Sequence, residues 1–269
     1  MESISPEAKT GECDKAYRKN TTLAKSSALI RVVANGFATG ASLSKIARAT
    51  GMHTATTHRL LSALVEEGLL SFDPYAKTYH IGFGLLSIAE TAQALAPDLR
   101  LRAELRPLLK RVAERTEETS YLSIRSGLDA LCVDRFPGRH LPQANTLEPG
   151  ARRPLGVGAG SLAILASLPD TERDDIIRAN EPRYERYSNL SSTVVRSDVE
   201  DTISTGHAYN DARIIADVKA VGAPIFAADG HVVAAVSVAA GAKRLPAARR
   251  TEIVEIMDEE VRALARLTR

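Results

Sequence analysis

Residues 54–64, TATTHRLLSAL, carry the chemistry that can be read first. At helical spacing Thr57, Leu60, Leu61 and Leu64 fall on one face, while Ala55, Thr56, Arg59 and Ser62 fall on the other. Short side chains around one long cation suit a helix that must enter a DNA major groove. The short groups permit close approach, and the guanidinium can fork onto O6 and N7 of guanine. Ser42, Thr54, Ala55, Thr56, His58 and Arg59 are therefore candidate DNA contacts. Lys77, in the turn 73–77 (DPYAK), is available to a phosphate. A second group of candidates lies far along the chain. The run 156–161, GVGAGS, has the wrong spacing for a dinucleotide fingerprint, and Ala163 breaks a nucleophile elbow around Ser161. It suits a loop that opens a helix and offers backbone N–H groups to an anion. A plain tight turn remains the alternative.

These residues need elements to position them. Leu43, Ile46 and Ala47 share one face of a short helix, with Ser42 at its N-cap position and Gly51 at the turn that ends it. The helix over 54–67 follows and stops at Gly68. Strands over 69–72 and 78–81 then close a hairpin, so 42–81 reads as a winged helix-turn-helix. A further helix over 25–36 belongs with it. Between residues 15 and 80 there are nine Lys or Arg (15, 18, 19, 25, 31, 45, 48, 59, 77) against three acids (66, 67, 73), a surplus of six. Residues 81–269 are near neutral, with 25 basic and 26 acidic residues. The surplus sits where a phosphate-binding module is expected.

Beyond the wing, helical patterns run over 82–96 and 98–116, with a break or kink expected at Pro107. Their apolar stripes look for a partner, and a second copy of the chain supplies one. From 120 onward the pattern is α+β. Hairpins are expected across Ser126-Gly127 and Ala228-Asp229-Gly230, helices over 170–179 and 197–205, and a closing helix from Pro246. The expected organisation is a disordered tail (1–20), a DNA-binding domain (21–82), linker and dimerisation helices (83–116) and an α+β domain (117–269).

At this stage the chain resembles the IclR family of bacterial transcriptional regulators from about residue 23 to 267. The resemblance rests on TGMHTATTHRLLSALVEEGLL, YHIGFGLLSIA, RPLLKRVAERTEET, RRPLGVGAGSLAILA and GAPIFAADGHVVAAVSVAA, in that order and spacing. It implies a C-terminal GAF-like domain that binds a small effector, and dimers or tetramers acting on pseudo-palindromic operators. Carried onto this sequence, the family's effector positions are Ala159 and Gly160, then Asn210 with Asp211, Ala220, Ser237 and Ala239. Several depart from the pattern. Asn210 stands for an Asp, Ala220 for a Cys, Ala239 for a Ser, and Arg213 reverses an acidic residue. At the start of the recognition helix, Thr54, Ala55 and Thr56 replace a basic residue and Ser-Thr, while Arg59 matches. The loss of polar groups predicts a larger, less polar carboxylic acid, an aromatic or alicyclic one. Arg213 is read as a partner of such a ligand, of Asp211 or of Asp217.

Composition limits the other classes. Aromatics are 4% of the chain and Trp is absent, which disfavours a stacking platform for single strands. No run reaches the roughly 18 apolar residues of a membrane span, and 1–20 lack a signal-peptide core, so the expected location is cytoplasmic. Two distant cysteines suggest neither a metal cluster nor a disulfide framework, and no cofactor is expected. His207, Asp211 and Ser161 sit in no catalytic motif, so an enzyme is not expected. The remaining rival is a constitutive DNA-binding or architectural protein whose second domain serves only assembly.

Overall fold

The computed structural model describes residues 21–36, 40–95, 97–140, 147–187 and 189–267, and the expected tail over 1–20 lies outside them. The chain divides into two compact units, 1–96 and 97–269.

In the first unit, helices α1 (Thr22–Gly36), α2 (Leu43–Thr50) and α3 (Thr54–Glu66) pack together. Strands β1 (Ala41–Ser42), β2 (Leu70–Asp73) and β3 (Thr78–Ile81) form an antiparallel sheet in the order β1-β3-β2. One core joins them, built from Leu29, Val33, Ile46, Leu60, Leu61, Leu64, Leu70 and Tyr79. Gly51 takes the left-handed conformation (φ +65°), and its N–H bonds back to the end of α2, so the turn into α3 needs no β-carbon there. Ser42 holds the N-cap position with extended backbone, yet its side chain caps nothing. Its Oγ lies 3.2 Å from that of Ser44, and its backbone belongs to β1, paired with Thr78. Helix α4 (Phe83–Leu95) closes the unit and leaves Phe83, Leu86 and Ile88 exposed.

The second unit is three-layered. Its sheet runs β6-β5-β4-β9-β8-β7, antiparallel throughout. The strands are β4 (Thr119–Ser126), β5 (Asp129–Phe136), β6 (Arg152–Pro154), β7 (Ala208–Asn210), β8 (Val218–Phe226) and β9 (Val232–Gly241). One face packs on α5 (Pro97–Thr116) and α9 (Ala247–Leu267). The other packs on α6 (Ala159–Ala166), α7 (Asp170–Tyr184) and α8 (Ser192–Thr205). Strand β9 shows why both faces are apolar. Ala234, Val236, Val238 and Ala240 point to the α5/α9 core, and Ala235, Ser237 and Ala239 point the other way.

Three expectations change here. The stripe of α5 is not held out for a second copy: Leu105, Leu108, Leu109 and Val112 are buried on the sheet beside Ile253 and Met257 of α9. Helix α5 also runs through Pro107 without a break. Pro107 and Ala103, whose carbonyl loses its donor, are both on the exposed side. Four buried side chains at about 1.5–3 kcal/mol each outweigh the roughly 3 kcal/mol that a mid-helix proline costs. Arg111 and Arg115 then tie α5 to α9 through Glu260 at 2.6 and 3.0 Å. Finally, α8 starts at Ser192, where Ser191 accepts a hydrogen bond from the Val194 N–H at 3.2 Å; Ser197 lies inside the helix.

Candidate functional site

The first site is the exposed face of α3. Thr57, Leu60, Leu61 and Leu64 are buried, and Thr57 Oγ1 donates to the His53 carbonyl at 3.1 Å, which anchors the first turn. That burial fixes the roll of the helix. Thr54, Ala55, His58 and Arg59 are left exposed and Thr56 partly so, forming one surface around the guanidinium. Ser42 belongs to another element, β1, and is half-buried. At the wing, Asp73 Oδ1 accepts from the N–H groups of Tyr75 (2.8 Å) and Ala76 (3.1 Å), which organises the turn. The Ala76 and Tyr75 N–H groups hold its carboxyl below the ordinary range. Lys77 sits at φ +54° and is exposed. Tyr75, 97% exposed at the tip, is a candidate contact that the sequence pattern does not single out.

Lys77→Ala should weaken binding to every DNA sequence alike. It should also lower the slope of log affinity against log salt by about 0.9, one phosphate contact on duplex DNA. A salt series on operator and scrambled duplexes measures both.

The second site is a cavity of about 50 Å³ between the sheet and the start of α6. It brings together Ala159, Gly160, Asn210, Ala220, Ser237 and Ala239, drawn from α6, β7, β8 and β9. Gly222 makes this possible: a Cβ there would stand 2.6 Å from the Ala159 carbonyl oxygen, so only glycine lets α6 settle on β8. Asp211 is not in the lining. Its carboxylate pairs with Lys219 at 2.8 Å and accepts from Tyr209 at 3.0 Å, and those two partners hold it below the ordinary range. Arg213 bonds neither Asp211 nor Asp217. It reaches Asp198 at 2.5 Å, a carboxylate that burial raises and Arg213 pulls down, with burial the larger effect. Ser161 spends its hydroxyl on the loop, donating to the Pro154 carbonyl and accepting from the Gly156 N–H, both at 3.0 Å.

Tyr121, Ser123, Arg153, Ile214 and Ile215 also line the cavity and were not expected there. Only the position of Arg153, three residues before the glycine-rich run, offered a hint. Strand alternation predicts that Tyr121 and Ser123 share a face, but not that the face meets α6. His207 accounts for itself as a helix-exit residue with its Nε2 3.2 Å from Asp258, away from Ser161's bonds. Among the described residues no helix is long and apolar enough to cross a membrane, and no three metal-ligating side chains converge.

Comparison with known proteins agrees with both units. The IclR helix-turn-helix domain model matches residues 22–74, and the model of the bacterial transcriptional regulator IclR C-terminal domain matches 93–266. The chain is 29% identical to the transcriptional regulator KipR of Bacillus subtilis, over 82% of this chain and 86% of that protein. It is 28% identical to the regulator BhcR of Paracoccus denitrificans, over 84% and 80%. The crystal structure of the Thermotoga maritima IclR shares the fold with a TM-score of 0.70 at 21% identity, covering 91% of this chain and 97% of that one. An IclR homologue from Microbacterium hydrocarbonoxydans, complexed with 4-hydroxybenzoate, gives 0.64 at 22% identity, covering 91% and 97%. With a helix-turn-helix head, an α+β second unit and a family model spanning more than half its length, this chain belongs to the IclR family of bacterial transcriptional regulators, which are not enzymes.

Proposed function

We propose that the chain is a cytoplasmic regulator whose operator affinity is set by a small organic acid held in the cavity of the second unit. The observation that carries this reading is the cavity's make-up. The start of α6 opens onto it with unpaired N–H groups, one arginine lines it, and the rest of the wall is mostly apolar. In the first unit, α3 enters the major groove with Arg59 and Thr56 reading bases, and the wing sets Lys77 on a phosphate. Two copies acting together ask for a pseudo-palindrome with half-sites about 34 Å apart, one helical turn. The exposed Phe83, Leu86 and Ile88 of α4 supply apolar surface for such pairing.

The size of the acid follows from the volume. At about 50 Å³ the cavity falls well short of the roughly 150 Å³ that takes a benzene ring, so a short-chain acid fits better than the aromatic one expected from the loss of polar groups at Ala220 and Ala239. A ring acid such as 4-hydroxybenzoate, seen with the Microbacterium protein, requires Ile214, Ile215 or Leu147 to move.

The test is a footprint on the DNA upstream of the protein's own gene, with and without a panel of short-chain and aromatic carboxylic acids. Protection of a pseudo-palindrome, with affinity shifted about 5- to 150-fold by one acid, is expected, which corresponds to 1–3 kcal/mol of coupling. Protection indifferent to every acid would sink the effector reading and favour a constitutive DNA-binding protein whose second unit only assembles the oligomer.

A further inference from the structure

Helix α5 carries, in its N-terminal half, an arginine whose bonding is incomplete. Arg102 Nε is buried and makes no hydrogen bond, and among the described residues it is the one buried side-chain nitrogen or oxygen left so. It stands 3.4 Å from Asp134 Oδ2 on β5, beyond the usual range of an N–H···O bond. Arg106, one turn further along, already holds that carboxylate, with Nη1 2.7 Å from Oδ1 and 2.5 Å from Oδ2. The Arg135 N–H donates to Oδ1 as well, at 2.9 Å. Asp134 is 2% exposed, so its charge is met by these partners rather than by water. Oδ2 is therefore contested by two cations about 6 Å apart along the helix. A buried N–H without an acceptor costs free energy, which the chain recovers if Arg102 closes on that oxygen.

Two features make such an exchange possible. Pro107 follows Arg106 and has no N–H, so the Ala103 carbonyl lacks its helical donor where the two halves of α5 join. The C-terminal half is fixed by Leu108, Leu109 and Val112 in the core and by Arg111 and Arg115 on Glu260. The N-terminal half starts at Pro97, where the second unit begins, and among its described residues only Leu105 is buried. The second feature is a β-bulge. Ser123 pairs with Cys132 and Leu122 with Asp134, so Val133 is an extra residue that turns Asp134 from the cavity face of the sheet to the α5 face. Cys132, on the cavity side of the bulge, packs with Tyr121, Val218 and Ala239, three residues of the cavity wall. Strand β5 thus meets the cavity wall at 132 and the helix at 134.

We propose that Asp134 is a positioning residue with two settings, one holding Arg106 as observed and one holding Arg102, and that the setting is passed to operator affinity through α5. This rests on the reading above that the second unit governs the operator. Arg102 Nε has to approach by roughly 0.5 Å to reach a bond near 2.9 Å, which is less than the helix shifts of about 1–2 Å that serve as switches elsewhere. A filled cavity displaces the wall that Cys132 backs, and the bulge carries the displacement to the carboxylate. Whichever arginine holds Oδ2 then fixes the N-terminal half of α5, while the half beyond Pro107 stays seated on the sheet.

The test uses the full chain, with operator affinity read by fluorescence anisotropy and hydrogen exchange read at the amides of 101–106. The Arg102 and Arg106 side chains are 36% and 50% exposed, so shortening either leaves no buried hole. Arg106→Gln should hand Oδ2 to Arg102, keep the protection at 101–106 and shift operator affinity about 5-fold or more with no acid present. Arg102→Gln alone should leave affinity near the parent's. The double variant should return affinity toward the parent value and lose the protection, because neither arginine then holds the helix. Arg106→Lys, which keeps a cation on the carboxylate, should behave as the parent. Effects that accumulate in the double variant instead of reversing would make both arginines plain structural ties and overturn the proposal. So would equal losses on operator and scrambled duplexes, the mark of phosphate contacts. Protection lost already in Arg106→Gln would show that Arg102 does not take over, and would defeat the two settings alone. The expected protection pattern with operator affinity constant throughout would uphold the two settings and defeat the reading that the second unit governs the operator.

Discussion

Arg59→Ala is expected to cost about 1–3 kcal/mol of operator affinity and to leave binding to scrambled DNA nearly unchanged. The asymmetry is what identifies a base contact. A guanidinium on guanine O6 and N7 makes two directed bonds that the wrong base cannot accept, whereas a phosphate contact is blind to sequence. The geometry favours Arg59 for this role because Thr57, Leu60 and Leu61 are buried, which turns the arginine outward among short neighbours. Fluorescence anisotropy on the two duplexes at one salt concentration measures the difference. Equal losses on both would reassign Arg59 to the backbone, and no loss on either would remove α3 from the interface. A single base-pair change at the contacted position should be tolerated by the variant and not by the parent.

Gly222→Ala is expected to damage the second unit and its ligand response together. The added carbon would stand 2.6 Å from the Ala159 oxygen, 2.7 Å from its carbonyl carbon and 3.0 Å from the Gly160 nitrogen. All three are backbone atoms, so no side chain can swing aside. The first turn of α6 must lift from β8. Overpacking of this kind costs about 1–3 kcal/mol, and a unit of this size loses about 2–4 °C of melting temperature for each. The lifted turn carries the N–H groups proposed to hold the effector's carboxylate, so acid affinity should fall as well. Scanning calorimetry should show the transition of the second unit moving while that of the first stays. Ligand-free operator affinity should be unaffected. An unchanged melt with unchanged acid affinity would mean that α6 and β8 are not seated as described.

The first unit was legible residue by residue. The burial of Thr57, Leu60, Leu61 and Leu64 follows from a 3.6-residue period, and Gly51 and Gly68 mark the ends of two helices by the left-handed turns they allow. The hairpins of the second unit were legible for the same local reason. Ser42 shows where local reading stops: residue type and position predict a cap, but pairing of β1 with β3 takes its backbone into a sheet. A period also says which side of a helix is apolar without saying what covers it. Thus the apolar stripe of α5 predicts a helix awaiting a second copy, and it covers its own sheet.

The cavity divides along the same line. Residue types and order in the chain by themselves determined the helix-turn-helix, the face of α3 that carries Arg59 and the α+β character of the second unit, while six of its cavity-lining positions came from the family resemblance. Only the tertiary structure decided that Asp211 turns away to Lys219 and that Arg213 is held by Asp198. It alone brought Ser123, Arg153 and Ser237 around one helix start. The physical reason is range. Helix periodicity, turns and caps are set by neighbours within a few residues, whereas Ser123 and Ser237 meet only because β4 pairs with β9 across more than a hundred residues of chain. Gly222 then lets the start of α6 close over both.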